Sequence, residues 1–227
     1  RKGVETFILV TNVRRVPVTD MMKPKRDADA TKSRILAAAE AEFSEKGLYG
    51  ARIDAIANKA KTNKRMIYQY YGNKEQLYVN TLETVYGRLT AEELQIGWKT
   101  MPARESIQKI IRLYFEFLEN NPSYVKLILW ENLNEGKYIE QIDFTETKYS
   151  VFHIFEDIME KGKQTGEFKK EIDTRQVILS LLTFTFSYFS NRYTLSKLLE
   201  FDLFDKENIQ KRINIVTDML LKYICTE

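Results

Sequence analysis

The chain has 227 residues, with 35 Lys/Arg, 32 Asp/Glu, one His (His153) and one Cys (Cys225), a length that suits one or two domains with a self-sufficient core. A single cysteine excludes a disulfide framework and a Cys-rich zinc site and makes a reducing cytoplasm the expected compartment. One histidine leaves metal clusters and His-dependent triads without raw material, so no metal or cofactor is expected. With only 9 Gly and 4 Pro, long helices with few turns follow, and the expected class is all-α.

Charge divides the chain. Through Gln76 there are 16 Lys/Arg against 9 Asp/Glu, and from Leu77 onward 19 against 23. A compact basic module joined to a larger, mildly acidic body is what a nucleic-acid contact followed by a separate sensing or assembly unit requires. The least polar stretch, Val177 to Phe189, is well short of the roughly 20 residues that span a bilayer, so no membrane partner is expected.

In chain order, residues 1–28 read as a disordered leader ending in a basic arm. Lys23, Lys25 and Arg26, with Lys32 and Arg34 beyond, offer charge to phosphates or a minor groove. Ile35, Leu36, Ala39 and Phe43 recur at helical spacing between Thr31, a possible N-cap, and Gly47, a stop, which predicts a helix over 31–47. Gly47-Leu48-Tyr49-Gly50 is a tight turn. Ile53, Ile56, Ala57 and Ala60 mark a short second helix, and Asn63 caps a third that runs to about Tyr70. Two short helices joined by a turn of three or four residues form a helix-turn-helix pattern.

On a helix starting near Asn63, Ile67 and Tyr71 face the other helices while Lys64, Arg65, Tyr68 and Gln69 face away, into a groove. Lys or Arg can bond guanine O6/N7 and Gln can bond adenine N6/N7. Tyr68, Tyr70 and Lys74 suit phosphates, Lys74 because it opens a fourth helix. Asn63 and Arg52 complete the DNA-binding candidates.

Arg34-Ile35-Leu36, Ala38-Ala39, Phe43, Gly47, Ile56-Ala57 and the run Asn63 to Leu77 closely resemble the N-terminal domain of tetracycline-repressor-like (TetR/AcrR) regulators. The aromatic run Tyr68-Gln69-Tyr70-Tyr71 followed by Lys74-Glu75-Gln76-Leu77 is the most specific mark. The sequence departs from the pattern at Ala51-Arg52, where Thr or Ser is usual, and at Lys61, where Gly is common.

Further helices are expected over about 74–95, from Pro102 to Asn120, from Tyr124 to about Asn134, from Tyr138 to Lys163, from Asp173 to about Leu199 and from Asp205 to Ile224. That makes about nine, the family's usual count. The expected domains are 29–76 for DNA binding and 77–227 for effector binding and dimerisation. The resemblance implies a small-molecule effector site among the middle helices, where Tyr114, Phe117, Trp130, Tyr149, Phe152 and Phe155 can surround an apolar cavity. Glu131, His153 and Glu156 are the nearest polar residues. The helix after Asp173 is apolar around nearly its whole circumference, so a second copy is expected to cover one face. Phe186 and Phe189, with Ile213 and Leu220 on the last helix, are the interface candidates.

The function expected is a homodimeric, ligand-responsive regulator, usually a repressor in this family, that binds a palindromic operator and is released by a small apolar or aromatic effector. Two alternatives stand beside it: an α-helical enzyme or carrier whose N-terminal motif is incidental, and a DNA-binding regulator that answers to a protein partner. No HExxH, Walker loop or dinucleotide fingerprint supports catalysis.

Overall fold

A computed structural model describes residues 23–142 and 151–226, with side chains for 28–142 and 153–226. The leader up to residue 22, Tyr149 and the Phe152 side chain lie outside the described residues. Within them the chain is helical, with one isolated bridge, Phe168 to Cys225, and no strand. No helix there is long and apolar enough to cross a membrane.

The N-terminal module is α1 (Lys23–Gly50), α2 (Ile53–Lys59) and α3 (Lys64–Tyr71). Helix α1 begins at Lys23, eight residues before Thr31, so Thr31 is interior and accepts a hydrogen bond from Arg34 Nη2 (2.9 Å). Its regular path breaks at Gly47 (φ 64°, ψ 178°), where the turn is expected. Ile35, Ala38, Ala39 and Phe43 meet Ile56, Ala57, Ile67 and Tyr71 in a fully buried core. Between α2 and α3, Lys61 adopts φ 53°, the left-handed geometry in which a side chain costs about 1 kcal/mol that glycine would avoid.

Helix α4 (Lys74–Glu93) leads into the body. There α5 (Ala103–Asn120) is central, packed against α4, α6 (Pro122–Leu133), α7 (Val151–Thr165), α8 (Thr174–Ser190) and α10 (Lys206–Ile224). Pro102 cannot cap α5, and the Glu167 carboxylate does so from 64 residues away, accepting from the Ala103 and Arg104 N–H groups (3.2 and 3.0 Å). Burial alone would raise the Glu167 carboxyl, but these bonds and one from Thr165 hold it below the usual carboxylate range.

The described residues hold ten α-helices, one more than expected. The helix predicted over 173–199 divides at Asn191 (φ −108°, ψ 5°) into α8 and α9 (Arg192–Leu198). Asn191 Nδ2 turns back onto the Ser187 carbonyl (3.2 Å), the competition with helical bonding that makes Asn a terminator. Of the helix predicted over 138–163, the described residues show a 3₁₀ turn at Ile139–Gln141 and α7 over Val151–Thr165, two residues past the expected end; residues 143–150 lie outside the described residues.

Candidate nucleic-acid interface

Helix α3 is held by its ends and one face. Asn63 Oδ1 accepts the Met66 N–H (3.0 Å), capping the first turn. Ile67 is fully buried and Tyr71 nearly so, with the Tyr71 hydroxyl donating to the Lys32 carbonyl of α1 (3.3 Å). That anchorage turns Lys64, Arg65, Tyr68 and Gln69 to solvent on the opposite face, a short, fixed row of donors and acceptors of the width a major groove admits. In the free protein Lys64 pairs with Asp54 of α2 (2.6 Å), both about half exposed, an ion pair too solvated to contribute more than about 1 kcal/mol and readily exchanged for a phosphate or base.

The flanks carry further candidates. Asn73 caps α4 by accepting the Gln76 N–H (2.7 Å), and Lys74 donates to the Tyr49 carbonyl (3.4 Å), so its ammonium sits where the α1–α2 turn meets the positive end of α4. Arg52 occupies the α2 N-cap without a side-chain cap bond; its own N–H is bound by Glu42 Oε1 (3.2 Å), leaving its guanidinium exposed. Burial tends to raise the Glu42 carboxyl, but hydrogen bonds from Lys46 and the Arg52 N–H outweigh it and hold the group low. Tyr70 is half-buried beneath Lys32, whose ammonium lies 5.5 Å from the ring centroid. Arg34 is not part of a free arm: it staples α1 to the end of α2 through the Ala60 carbonyl (3.4 Å).

Residues 35–80 match the family model for bacterial regulatory proteins of the tetR family, and residues 104–220 match the tetracyclin repressor-like C-terminal domain. The chain belongs to the TetR family. It is a helix-turn-helix transcriptional regulator and not an enzyme. The HTH-type transcriptional repressor NicS of Pseudomonas putida is 29% identical over 198 residues, 87% of this chain and 93% of NicS. Two solved structures share the fold. The fatty acid degradation regulator FadR of Bacillus halodurans matches with TM-score 0.66 and 19% identity over 84% of this chain and 94% of its own. FadR of Bacillus subtilis, in complex with stearoyl-CoA, matches with TM-score 0.65 and 21% identity over 83% and 97%.

In this TetR regulator the DNA-binding module is tied to the body at three points. Arg88 of α4 forks onto Glu40 of α1 (2.6 and 3.2 Å) and also bonds Asn121 Oδ1 (2.8 Å), while the Ser123 hydroxyl closes the network on Glu40. Tyr78 of α4 packs edge-on against Phe43 of α1 (5.1 Å) and Tyr138 (5.4 Å). Trp130 of α6 donates to the Ser44 carbonyl (3.3 Å) and lies flat on Gly47, where an added Cβ would come within 2.9 Å of the ring. A displacement of α4 or α6 therefore has to move α1.

Trp130 thus belongs to that junction. Of the other pocket candidates, Tyr114, Phe117 and Phe155 are buried in the body. Tyr114 donates to Glu93 (2.6 Å), and Phe117 packs edge-on against Tyr124 (5.1 Å). Glu131 is buried, its Oε1 accepting the Tyr138 and Ile139 N–H groups (2.6 and 2.9 Å) that fold the chain after α6 and its Oε2 without a hydrogen-bond partner. His153 and Glu156 pair with each other on the surface (3.4 Å). Sequence reasoning passed over Glu93, Tyr86 and Tyr124, which meet Tyr114 and Phe117 in one cluster. Glu93, like Glu131, buries one carboxylate oxygen without a partner, and burial is not visible in a Glu92-Glu93 pair.

The interface candidates need correction. Phe189, Ile213 and Leu220 are 3–4% exposed, sealed inside the protomer; Phe189 packs on Phe115 (5.9 Å) and Tyr188 (5.2 Å). Phe186 is half-buried. Both helices carry a second apolar face that is open: Leu179 on α8, and Ile215, Met219 and Tyr223 on α10, are 48–57% exposed. Beside it, α8, α9 and α10 enclose an open groove of about 410 Å³ lined by Phe184, Leu195, Leu199, Phe201 and Ile215.

Proposed function

We propose that the protein acts in the cytoplasm as a homodimeric repressor. Each α3 reads half of a two-fold symmetric operator, and an effector with an apolar or aromatic body, bound between α4, α5 and α6, releases the DNA. The observation that carries the reading is the division of α3 into a buried Ile67/Tyr71 face and a solvent face of Lys64, Arg65, Tyr68 and Gln69. The open apolar faces of α8 and α10 support dimerisation, because contiguous exposed apolar surface of that kind marks an interface. NicS, a repressor along nearly its whole length of similarity, supports the sign of regulation, and the stearoyl-CoA complex of a protein with the same fold supports a small-molecule effector. The effector acts by population shift: it weakens DNA binding only by the margin with which it prefers the non-operator geometry.

Lys74→Ala tests the phosphate clamp. The variant should bind every DNA sequence more weakly by a similar factor, and the slope of log affinity against log salt should fall by about one per protomer, as for one lost phosphate contact. Nitrocellulose filter binding across a salt series measures both. An unchanged slope with altered sequence preference would assign Lys74 to base readout and contradict the clamp.

A further inference from the structure

Past Ser190 the chain builds a wall against α8 and α10. Helix α9 follows α8 at once, and the segment from Leu199 to Asp205 is tied down on both sides. The Phe201 N–H donates to the Ser196 carbonyl and the Leu203 N–H to the Ser196 hydroxyl (both 3.1 Å), while Asn208 Nδ2 donates to the Asp202 carbonyl (2.9 Å). Leu203 is buried, yet Leu199 and Phe201 are 63% and 44% exposed. Between them Glu200 holds φ 48°, a left-handed conformation that strains a residue carrying a side chain. Open apolar side chains on a fixed, strained segment are not what a solvated connection requires; they mark a surface that something covers.

These residues form one side of the groove of about 410 Å³ between α8, α9 and α10, a volume within the usual range of small-molecule sites. The charged residues of its lining are Lys211 and Arg212, both of α10, with no Asp or Glu among them. Lys211 meets Glu207 (2.9 Å), but both side chains are well exposed, so the pair is solvated and readily exchanged. Arg212 is half-buried with its guanidinium 5.8 Å from the Phe184 ring centroid, and among the described residues no carboxylate forms an ion pair with it. Its charge acts on the lining: burial raises the phenol of Tyr188, another lining residue, above its usual range, and Arg212 opposes that rise. The acids that also act on Tyr188 are Asp202, Asp205 and Glu119, and none of them lines the groove. Asp202 and Asp205 are engaged by the Phe204 and Asn208 N–H groups (2.8 and 3.0 Å).

We propose that this groove is a binding site for an organic anion, a carboxylate held by Arg212 and Lys211 with its apolar body against Phe184, Leu199 and Phe201. The planar guanidinium offers a carboxylate two parallel N–H donors. A cation would meet two like charges with no acid in the lining to offset them, and a neutral apolar molecule would cover the guanidinium without compensating it. The site is separate from the effector position proposed between α4, α5 and α6 and does not depend on it. Ile215 stands where the groove meets the open α10 face of Met219 and Tyr223, so a second copy of the chain is the competing occupant.

Isothermal calorimetry on the full chain with 4-phenylbutyrate, 4-phenylbutan-1-ol and 4-phenylbutylamine compares one apolar body under three charges. The anion should bind about tenfold or more tighter than the alcohol, and the amine more weakly than either. Arg212→Gln, with an unchanged circular dichroism spectrum, should cut 4-phenylbutyrate affinity about tenfold while moving the alcohol less than about threefold. Lys211→Gln, at an exposed position, should give a smaller loss of the same kind, and it decides the matter should Arg212→Gln not fold. Phe201→Ser should weaken anion and alcohol alike. Equal affinity for anion and alcohol, no binding of 4-phenylbutyrate, or an Arg212→Gln protein that binds it as the wild type does would overturn the proposal. Were a second copy to fill the groove instead, 4-phenylbutyrate would not bind and Phe201→Ser would sediment increasingly as monomer, which overturns it too. No step reads DNA, so failure of this site leaves the regulator standing, and failure of the regulator leaves this site.

Discussion

Ile215→Asp should leave the protein folded, convert it to monomers at micromolar concentration and lower operator affinity by about 10² to 10⁴, the avidity that linking two modules supplies. Ile215 is 51% exposed in the protomer and shares a face of α10 with Met219 and Tyr223, so in a monomer the new carboxylate is solvated at little cost. In a dimer closed over that face it would be buried without a partner. Ile213, two residues earlier, is 4% exposed and turned into the chain's own core; Ile213→Asp should unfold the protein instead. Sedimentation velocity with circular dichroism separates the outcomes. An Ile215→Asp protein that stays dimeric would move the interface elsewhere.

Gly162→Ala should be strongly destabilising. A Cβ at Gly162 would fall 2.1 Å from Phe168 Cδ2 and 2.4 Å from Cε2. The ring has nowhere to go: Phe168 is 1% exposed, its N–H is bound to the Gly162 carbonyl (2.9 Å), and its neighbours Lys169 and Glu167 hold the C-terminal segment through Ile224 and Thr226 (2.9 and 3.1 Å). Overpacking of this severity costs about 3 kcal/mol, which for a chain of this length lowers the melting temperature by roughly 10 °C. Thermal unfolding followed by circular dichroism measures it, and a shift under about 2 °C would show that α7 and the Phe168 segment adjust freely.

What the sequence made legible was local. Asn63, Asp173 and Asp205 were readable as caps, and each accepts the N–H bonds expected of it. The α3 face followed from helical spacing alone, because Ile67 and Tyr71 are four apart and the polar residues fill the other side. The α8–α9 break was missed because apolar residues continue through Leu195 and Leu198 and hide Asn191. The interface set failed for a different reason. Helices α8 and α10 each have two apolar faces, and periodicity cannot tell which one the chain's own α5 covers. The junction role of Trp130 was not legible because its partner, Gly47, lies 83 positions away and offers only the absence of a side chain. Arg52 gives α2 no side-chain cap bond, and its own N–H is taken up from outside the local window, by Glu42.

In the dimer we propose, paired α3 helices read a symmetric site. The most direct measurement is selection of genomic DNA fragments by the full-length protein, followed by hydroxyl-radical footprinting of the tightest binders. Two protected half-sites related by a two-fold axis, with centres about one helical turn or a multiple of it apart, are expected. They should be lost together in Ile215→Asp. Binding without sequence preference, or protection of a single unpaired site by the wild-type protein, would show that the α3 helices do not read DNA as a pair.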